Sequence, residues 1–135
     1  MTSIARTVLL VDDERHIRHL IKYKLQAVGF TVLEARDGRE ALEITRRERP
    51  DLIVSDFHMP EVNGLQLARR LKEDVWTADI PIILITARGH RVPPSELVGT
   101  EIRYLLPKPF SPRELLNCVS EILHIDLHCG GANAA

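Results

Sequence analysis

The chain has 135 residues, of which 44% are hydrophobic and 27% are charged, so it is long enough to form one globular domain with a buried core. Its 18 basic and 19 acidic residues nearly balance, which argues against a surface built to bind nucleic acid or a membrane. The apolar runs are too short to span a membrane and the polar first residues do not resemble a signal peptide, so we expect a cytoplasmic protein.

Strand and helix patterns alternate along the chain. Short apolar runs bounded by polar residues predict five buried parallel strands, at 8–11, 31–35, 52–55, 82–85 and 104–106. Apolar residues at helical spacing predict helices at 14–28, 37–49, 65–74 and 112–125. In the first of these helices, Leu20 is expected to face the core together with Ile17, Ile21 and Leu25.

The segment 88–101 departs from this pattern. Pro93 and Pro94 exclude a regular helix through it, because proline lacks the backbone N–H and clashes with the preceding turn. We expect a loop and then a short helix near 95–98, since proline is tolerated in a first helical turn. The Gly-containing tail at 126–135 is expected to be disordered, which leaves one domain at 7–125.

Five strand–helix units in one parallel sheet need right-handed crossovers, which place helices on both faces. The simplest arrangement is a doubly wound α/β fold with strand order 2-1-3-4-5. Ligands of such sheets bind at the carboxyl ends of the strands. Polar side chains follow four of the predicted strands, namely Asp12, Asp13, Asp56, Thr86 and Lys108. We therefore expect these side chains to meet in one crevice.

The three carboxylates would repel one another unless a proton or a cation lay between them. They offer oxygen ligands only, which suits Mg²⁺, an ion that accepts phosphate as a further ligand. A carboxylate can also attack phosphorus and form an aspartyl phosphate. Lys108 could balance the added charge, and Thr86 could donate a hydrogen bond to a phosphoryl oxygen. The pattern favours Mg²⁺-dependent transfer of a phosphoryl group to an aspartate.

These residues resemble the receiver domain of two-component response regulators, and in particular the stand-alone, chemotaxis-type regulators. The resemblance covers nearly the whole chain and implies the flavodoxin-like receiver fold. The motifs that carry it are Val11-Asp12-Asp13-Glu14, Asp56 with Met59-Pro60 and Gly64, Thr86-Ala87, and Lys108-Pro109-Phe110.

The resemblance implies that Asp56 accepts a phosphoryl group from a histidine kinase or a phosphotransfer protein. Asp13 would ligate Mg²⁺ directly and Asp12 would do so through water. Asp56 and the backbone carbonyl of His58 would complete the protein ligands. As implied for the family, such a protein is a phosphoacceptor switch that catalyses only its own phosphorylation and dephosphorylation.

The family pattern also implies the later steps. Thr86 would reorient toward the phosphoryl group, and Lys108 would pair with it beside a cis Lys108-Pro109 bond. The output would be a conformational change at the surface, recognised by a downstream protein target. We expect a monomer or a weak dimer that binds no nucleic acid directly.

The chain departs from the family in three places. Receivers commonly have an aromatic residue three positions before the lysine, where this chain has Leu105. Tyr104 should point to the opposite face of the strand. The fourth helix is atypical, and it belongs to the face that receivers use for switching and dimerisation. His58 stands where side chains reach the mouth of the site, and we expect it to obstruct that mouth or to have no effect.

The first predicted helix carries a run of basic residues, which are Arg15, His16, Arg18, His19, Lys22 and Lys24. Such a run is usually a solvated face. The resemblance makes it also a candidate surface for docking the phosphodonor.

Three alternative functions stay open. A degenerate receiver could act as a protein-interaction scaffold. An aspartyl-nucleophile phosphatase would need a second aspartate two residues after Asp56, where His58 stands. A flavodoxin-like cofactor binder would need a phosphate loop after the first strand, where Asp12, Asp13 and Glu14 would repel a phosphate.

Overall fold

The computed structural model describes residues 6–125, so the predicted disordered tail at 126–135 lies outside the described residues. Five parallel strands form one sheet in the order β2-β1-β3-β4-β5. This confirms the predicted doubly wound topology. The strands are β1 (Thr7–Val11), β2 (Thr31–Ala35), β3 (Leu52–Asp56), β4 (Ile82–Thr86) and β5 (Ile102–Pro107). The helices are α1 (Arg15–Ala27), α2 (Gly38–Glu48), α3 (Gly64–Lys72), α4 (Pro94–Leu97) and α5 (Pro112–Leu123).

The register of the sheet aligns the carboxyl ends of its central strands. Val11 of β1 pairs with Ser55 of β3, and Asp56 pairs with Ile85 of β4. Thr86 pairs in turn with Pro107, the last residue of β5. The residues that end or follow these four strands therefore lie side by side along one edge of the sheet.

The core has two layers, one on each face of the sheet. α1 and α5 cover one face, where Leu25, Leu115 and Val119 are almost completely buried. α2 and α3 cover the other face with residues such as Ala41 and Leu67. Each large aliphatic side chain buried in this way stabilises the fold by about 1.5–3 kcal/mol relative to exposure. The apolar core thus holds the strands in place, and the polar residues at their carboxyl ends are not part of that packing.

The expectation for Leu20 is wrong. This side chain is 58% exposed, whereas Ile21 and Leu25 on the same helix are buried. The face of α1 that meets the sheet is narrower than the apolar stripe, so Leu20 falls at its margin. There it borders an apolar groove between α1 and the start of α5, together with Ile17 and Phe110.

Side-chain caps fix where three of the helices begin. The carboxylate of Asp37 accepts a hydrogen bond from the Glu40 N–H at 2.8 Å. Asn63 and Ser111 form capping boxes at the starts of α3 and α5. Helix α3 ends at Lys72, two residues before the predicted end, and the Thr77 hydroxyl donates to the Leu71 carbonyl at 2.7 Å.

Helix α4 spans only four residues, Pro94–Leu97, which agrees with the short helix predicted after the two prolines. Its amino end has no side-chain cap, and Val98, directly after the helix, is 80% exposed. Within the described part of the chain, no helix is both long and apolar enough to cross a membrane.

Trp76 lies in the connection between α3 and β4, at the amino end of the sheet. Its indole N–H donates to the Arg46 carbonyl at 3.2 Å, and the guanidinium of Arg49 lies 5.4 Å from the ring centroid. Arg49 also donates to the Trp76 carbonyl at 2.9 Å. These contacts attach the connection to the end of α2, far from the carboxyl ends of the strands.

Candidate functional site

Three carboxylates meet at the carboxyl end of the sheet. Asp12 and Asp13 follow β1, and Asp56 is the last residue of β3. One oxygen from each side chain lies within 4.8 Å of the other two. Asp12 and Asp56 are almost completely buried, whereas Asp13 is exposed. Residues far apart in the sequence thus form one acidic cluster, half enclosed and half open to solvent.

Asp12 is the most constrained of the three. Its Oδ1 accepts a hydrogen bond from the Glu14 N–H at 2.8 Å, at the start of α1. Its Oδ2 is buried, and no hydrogen-bond partner for it exists among residues 6–125. The pKa of Asp12 is raised to about 6, chiefly by burial and in smaller part by the neighbouring carboxylates of Asp56 and Asp13, while the hydrogen bond from the Glu14 N–H and the positive charge of Lys108 act in the opposite direction.

A buried carboxylate oxygen without a partner is costly. A hard cation among the three carboxylates would relieve that cost and their mutual repulsion. The donor set consists of oxygens on a half-open site, which is the type of site that Mg²⁺ occupies in proteins. The acidic cluster therefore fits this ion.

Asp56 faces both a cation and a backbone donor. The Lys108 Nζ lies 3.7 Å from its Oδ2, and the His58 N–H lies 3.5 Å from its Oδ1. Burial raises the pKa of Asp56, and the positive charge of Lys108 opposes this shift. The carboxylate of Asp56 is therefore poorly hydrated, and the nearby ammonium group of Lys108 partly balances its negative charge.

Thr86 ends β4 and Lys108 directly follows β5, the two strands beyond β3 in the sheet. Thr86 is the buried last residue of β4, and its carbonyl accepts a hydrogen bond from the Lys108 N–H at 2.8 Å. The following Lys108-Pro109 bond is cis, as the resemblance implies. The backbone therefore sets Lys108 against the end of β4, from which its side chain reaches toward Asp56.

The close approach of α3 to the end of β3 depends on Gly64. A Cβ atom at this position would lie 2.7 Å from the Asp56 carbonyl oxygen and would overlap a methyl group of Leu84. The Gly64 N–H also donates to the Phe57 carbonyl at 2.9 Å. Glycine at this position lets the helix begin directly behind the end of β3.

His58 is exposed beside Asp56 and has an unexpected neighbour. Its ring centroid is 4.8 Å from that of His90, in an edge-to-face arrangement. Both rings also pack near Phe57, at centroid distances of 5.0 and 4.6 Å. The sequence did not single out His90, because a histidine four residues after a strand end belongs to no motif.

Part of the basic run on α1 is already engaged within the domain. The Arg18 side chain is only 14% exposed and donates to Glu34 on β2 and to the backbone carbonyl of Asp12. Lys22 also pairs with Glu34, at 3.0 Å. Arg18 is therefore a poor candidate for the predicted docking surface, since it is mostly covered.

Tyr104 lies on the face of β5 that packs against α5, as predicted from strand alternation. Its hydroxyl hydrogen-bonds the carboxylate of Glu121 on that helix. Leu105, three positions before Lys108, is partly buried and points the other way. An aliphatic side chain therefore occupies the place where receivers commonly have an aromatic ring.

Residues 8–120 match the family model described as the response regulator receiver domain. The chain belongs to this family. The match includes every residue of the acidic cluster and both Thr86 and Lys108. It identifies the chain as a receiver domain of two-component signalling.

Relatives with curated names and solved structures agree with this. The receiver domain is 40% identical over 122 residues to the phosphate regulon transcriptional regulatory protein PhoB of Pseudomonas aeruginosa, covering 89% of this chain and 52% of that protein. It superposes on a putative response regulator of Chloroflexus aurantiacus with a TM-score of 0.82 and 30% identity, covering 90% of this chain and 99% of the other. The chemotaxis protein CheY4 of Vibrio cholerae gives a TM-score of 0.80 and 31% identity, covering 88% and 99%.

The chain spans about half the length of the curated relatives that it matches. It spans nearly all of the solved receivers. The likeness therefore concerns the receiver domain itself, and not the further parts of the longer regulators.

Proposed function

We propose that this receiver domain accepts a phosphoryl group on Asp56 from a phosphohistidine on a histidine kinase or phosphotransfer protein. The observation that carries the proposal is the meeting of three carboxylates within 4.8 Å, with Lys108 Nζ at 3.7 Å from Asp56. The domain at 7–125 would then act as a switch that catalyses only its own phosphorylation and dephosphorylation.

In the proposed step, a carboxylate oxygen of Asp56 attacks the phosphorus atom. A new P–O bond forms while the P–N bond to the donor imidazole breaks, and the imidazole leaves with the bonding electron pair and takes up a proton. The product is an aspartyl phosphate. The Lys108 ammonium would balance the negative charge that the phosphoryl group brings to Asp56, and the Thr86 hydroxyl would donate a hydrogen bond to a phosphoryl oxygen.

The carboxylates of Asp12, Asp13 and Asp56, with the backbone carbonyl of His58, would hold Mg²⁺. When bound, this ion neutralises negative charge on the carboxylates and on the phosphoryl oxygens. The buried Oδ2 of Asp12, which has no partner in the described residues, supports the assignment. Because these ligands end or follow β1 and β3, the sheet would hold them in position before the phosphodonor binds.

The output of the domain would be a protein contact. Phosphorylation would shift the population between two conformations, one of which a downstream protein or an attached domain recognises. The short α4 and the exposed Val98 place an unusual surface where receivers commonly signal. We expect a monomer or weak dimer without direct binding to nucleic acid.

A phosphatase function gains no support from the site. It would need a carboxylic acid two residues after the nucleophile, and His58 at that place packs against His90 and Phe57 instead. The same arrangement suits a switch, because position 58 carries no carboxylic acid that could serve as the general acid of such a phosphatase.

The test is to incubate the protein with acetyl phosphate and Mg²⁺ and to measure the intact mass. We expect one phosphoryl group on the wild type, and none on Asp56→Asn or after Mg²⁺ is chelated. Asp79→Asn is the matched control, because Asp79 precedes β4 at the opposite end of the sheet and should leave the reaction unchanged. A wild type that stays unmodified, or an Asp56→Asn variant that still gains the group, would refute the proposal.

A further inference from the structure

Arg18 connects the acidic cluster to the edge of the sheet. Its Nη1 donates to the backbone carbonyl of Asp12 at 2.7 Å, and its Nε donates to the Glu34 carboxylate at 3.2 Å. Glu34 lies on β2, where it pairs with Leu10 of the neighbouring strand. A side chain on α1 thus joins the turn that carries two of the acidic residues to the adjacent edge strand.

The backbone of Asp12 is held from β2 on both sides. Its N–H donates to the Ala35 carbonyl of β2 at 3.1 Å. Its carbonyl is held through Arg18, which Glu34 of the same strand keeps in place. The carbonyl of Asp12 belongs to the peptide unit that joins it to Asp13. Holding that unit in place therefore also fixes the position of the Asp13 backbone nitrogen.

Glu34 is well suited to hold Arg18. Against burial, which raises the pKa of Glu34, the hydrogen bonds from Lys22 and Arg18 lower it, so the side chain stays ionised at neutral pH. The Arg18 side chain is 14% exposed and that of Glu34 is 23% exposed, so water competes little for this contact. The pair is therefore better protected than an ordinary surface ion pair.

We propose that Arg18 is a positioning residue for the metal site, which holds the Asp12-Asp13 turn in the geometry that binds Mg²⁺. The inference rests on the proposed function, in which these two aspartates are metal ligands. Three crowded carboxylates push one another apart before the ion arrives, and a braced turn resists that movement. Groups that orient metal ligands in this way typically contribute tenfold or more to metal affinity.

The direction in which replacing Arg18 changes Mg²⁺ affinity distinguishes a positioning role from a purely electrostatic one. Arg18 is a cation near a cation site, so removing its charge alone would strengthen Mg²⁺ binding slightly. Removing a brace would weaken it. Lys22 provides the matched control, because it pairs with the same Glu34 but has no contact with Asp12.

The experiment measures Mg²⁺ binding by calorimetry on the unphosphorylated protein, without any phosphodonor. We expect Arg18→Met to raise the Kd for Mg²⁺ about tenfold, while Lys22→Met stays within a factor of two of the wild type. Arg18→Lys should give an intermediate Kd, because one ammonium group cannot reach both Asp12 and Glu34 as the guanidinium does. Glu34→Gln should weaken binding less than Arg18→Met, and combining the two should add nothing.

Melting curves of each variant show that the comparison is made on folded protein. If Arg18→Met does not fold, Arg18→Lys and Glu34→Gln decide the question by the same measurement. Equal Kd values for Arg18→Met, Lys22→Met and the wild type would overturn the inference and leave the proposed function intact. A wild type that binds no Mg²⁺ would overturn both.

Discussion

The ammonium nitrogen of Lys108 lies 3.7 Å from the Oδ2 atom of Asp56, across the gap between β5 and β3. The distance is too long for a strong hydrogen bond and short enough for a substantial charge interaction. β4 separates the two strands in the sheet, and the hydrogen bond from the Lys108 N–H to Thr86 fixes the start of the lysine side chain. This spacing sets the positive charge of Lys108 beside Asp56 without a tight hydrogen bond to that oxygen.

Lys108→Met should slow phosphorylation of Asp56 by acetyl phosphate by a factor of roughly 10–100 at saturating Mg²⁺. The reason is the loss of the cation that balances charge on the transferred group. The measurement is the initial rate of phosphoprotein formation by intact mass. Lys24→Met, which removes a lysine from the nearby groove but not from the site, should react at the wild-type rate. Equal rates for both variants would show that Lys108 does not take part.

Asp12→Asn should stabilise the metal-free protein at neutral pH, by no more than about 3 kcal/mol. Folding raises the pKa of Asp12 from 3.8 to about 6, so the folded state binds this proton more tightly than the unfolded state does. The wild type therefore loses stability as the pH rises from 3.8 to about 6. Above that range the full cost of burying the ionised carboxylate remains. Asparagine carries no charge and escapes the penalty.

The check is urea denaturation in the presence of a chelator at pH 5 and at pH 7.5. The gain from Asp12→Asn should be larger at the higher pH, and saturating Mg²⁺ should reduce or reverse it because the ion binds the folded wild type. Asp79→Asn again serves as the control with no gain. A gain that is the same at both pH values would contradict the assigned cause.

His58 and His90 should control the lifetime of the aspartyl phosphate as a pair. Their rings lie 4.8 Å apart in an edge-to-face arrangement beside Asp56, where we expect them to obstruct the approach of water. Aromatic contacts of this kind contribute about 0.5–1.5 kcal/mol, which corresponds to a two- to tenfold change in rate. We expect either His58→Ala or His90→Ala to shorten the lifetime by such a factor.

The double variant distinguishes a pair from two separate effects. If His90 acts by holding the His58 ring, removing both residues should shorten the lifetime no more than removing His58 alone. Replacing His90 by phenylalanine should restore much of the lifetime, since a ring is retained. Decay rates of the isolated phosphoprotein measure this, and His19→Ala on α1 is the control. Additive effects of the two alanine variants would rule out the coupling.

The amides of α4 should exchange their hydrogens much faster than those of α5. The four residues of α4 form a single turn, with hydrogen bonds at its two ends from the Glu96 N–H to the Pro93 carbonyl at 2.9 Å and from the Thr100 N–H to the Leu97 carbonyl at 3.1 Å. Such short elements open locally with little free energy. Exchange followed by mass spectrometry tests this, with 112–123 as the internal reference. A long, strongly protected helix from Val92 to Glu101 would contradict it.

The sequence was sufficient to predict the strand order and the place of the acidic cluster. Asp13 and Asp56 follow runs of apolar residues, and parallel strands leave their carboxyl ends at one edge, so their meeting follows from topology. The short α4 was predictable for a different reason, because Pro93 and Pro94 exclude the hydrogen bonds that a longer helix needs.

Contacts between separate elements were not predictable from local patterns. Arg18 and Glu34 are each ordinary on a solvated face, and only the packing of α1 beside β2 turns them into a partly buried pair. His58 and His90 lie on two loops whose approach depends on the whole sheet. The predicted burial of Leu20 was wrong for the same reason. The stripe of apolar residues along α1 does not show how much of the helix the neighbouring elements cover.

The tethering of Trp76 to the end of α2 has a practical consequence for spectroscopy. The chain has one tryptophan, and the length of a central strand, roughly 15 Å, separates its end of the sheet from the carboxylates. Indole emission will therefore follow melting of the domain but will be insensitive to ions arriving at the opposite edge. A fluorescent titration of the site calls for a new chromophore, for which Phe57→Trp, beside both histidines, is the natural position.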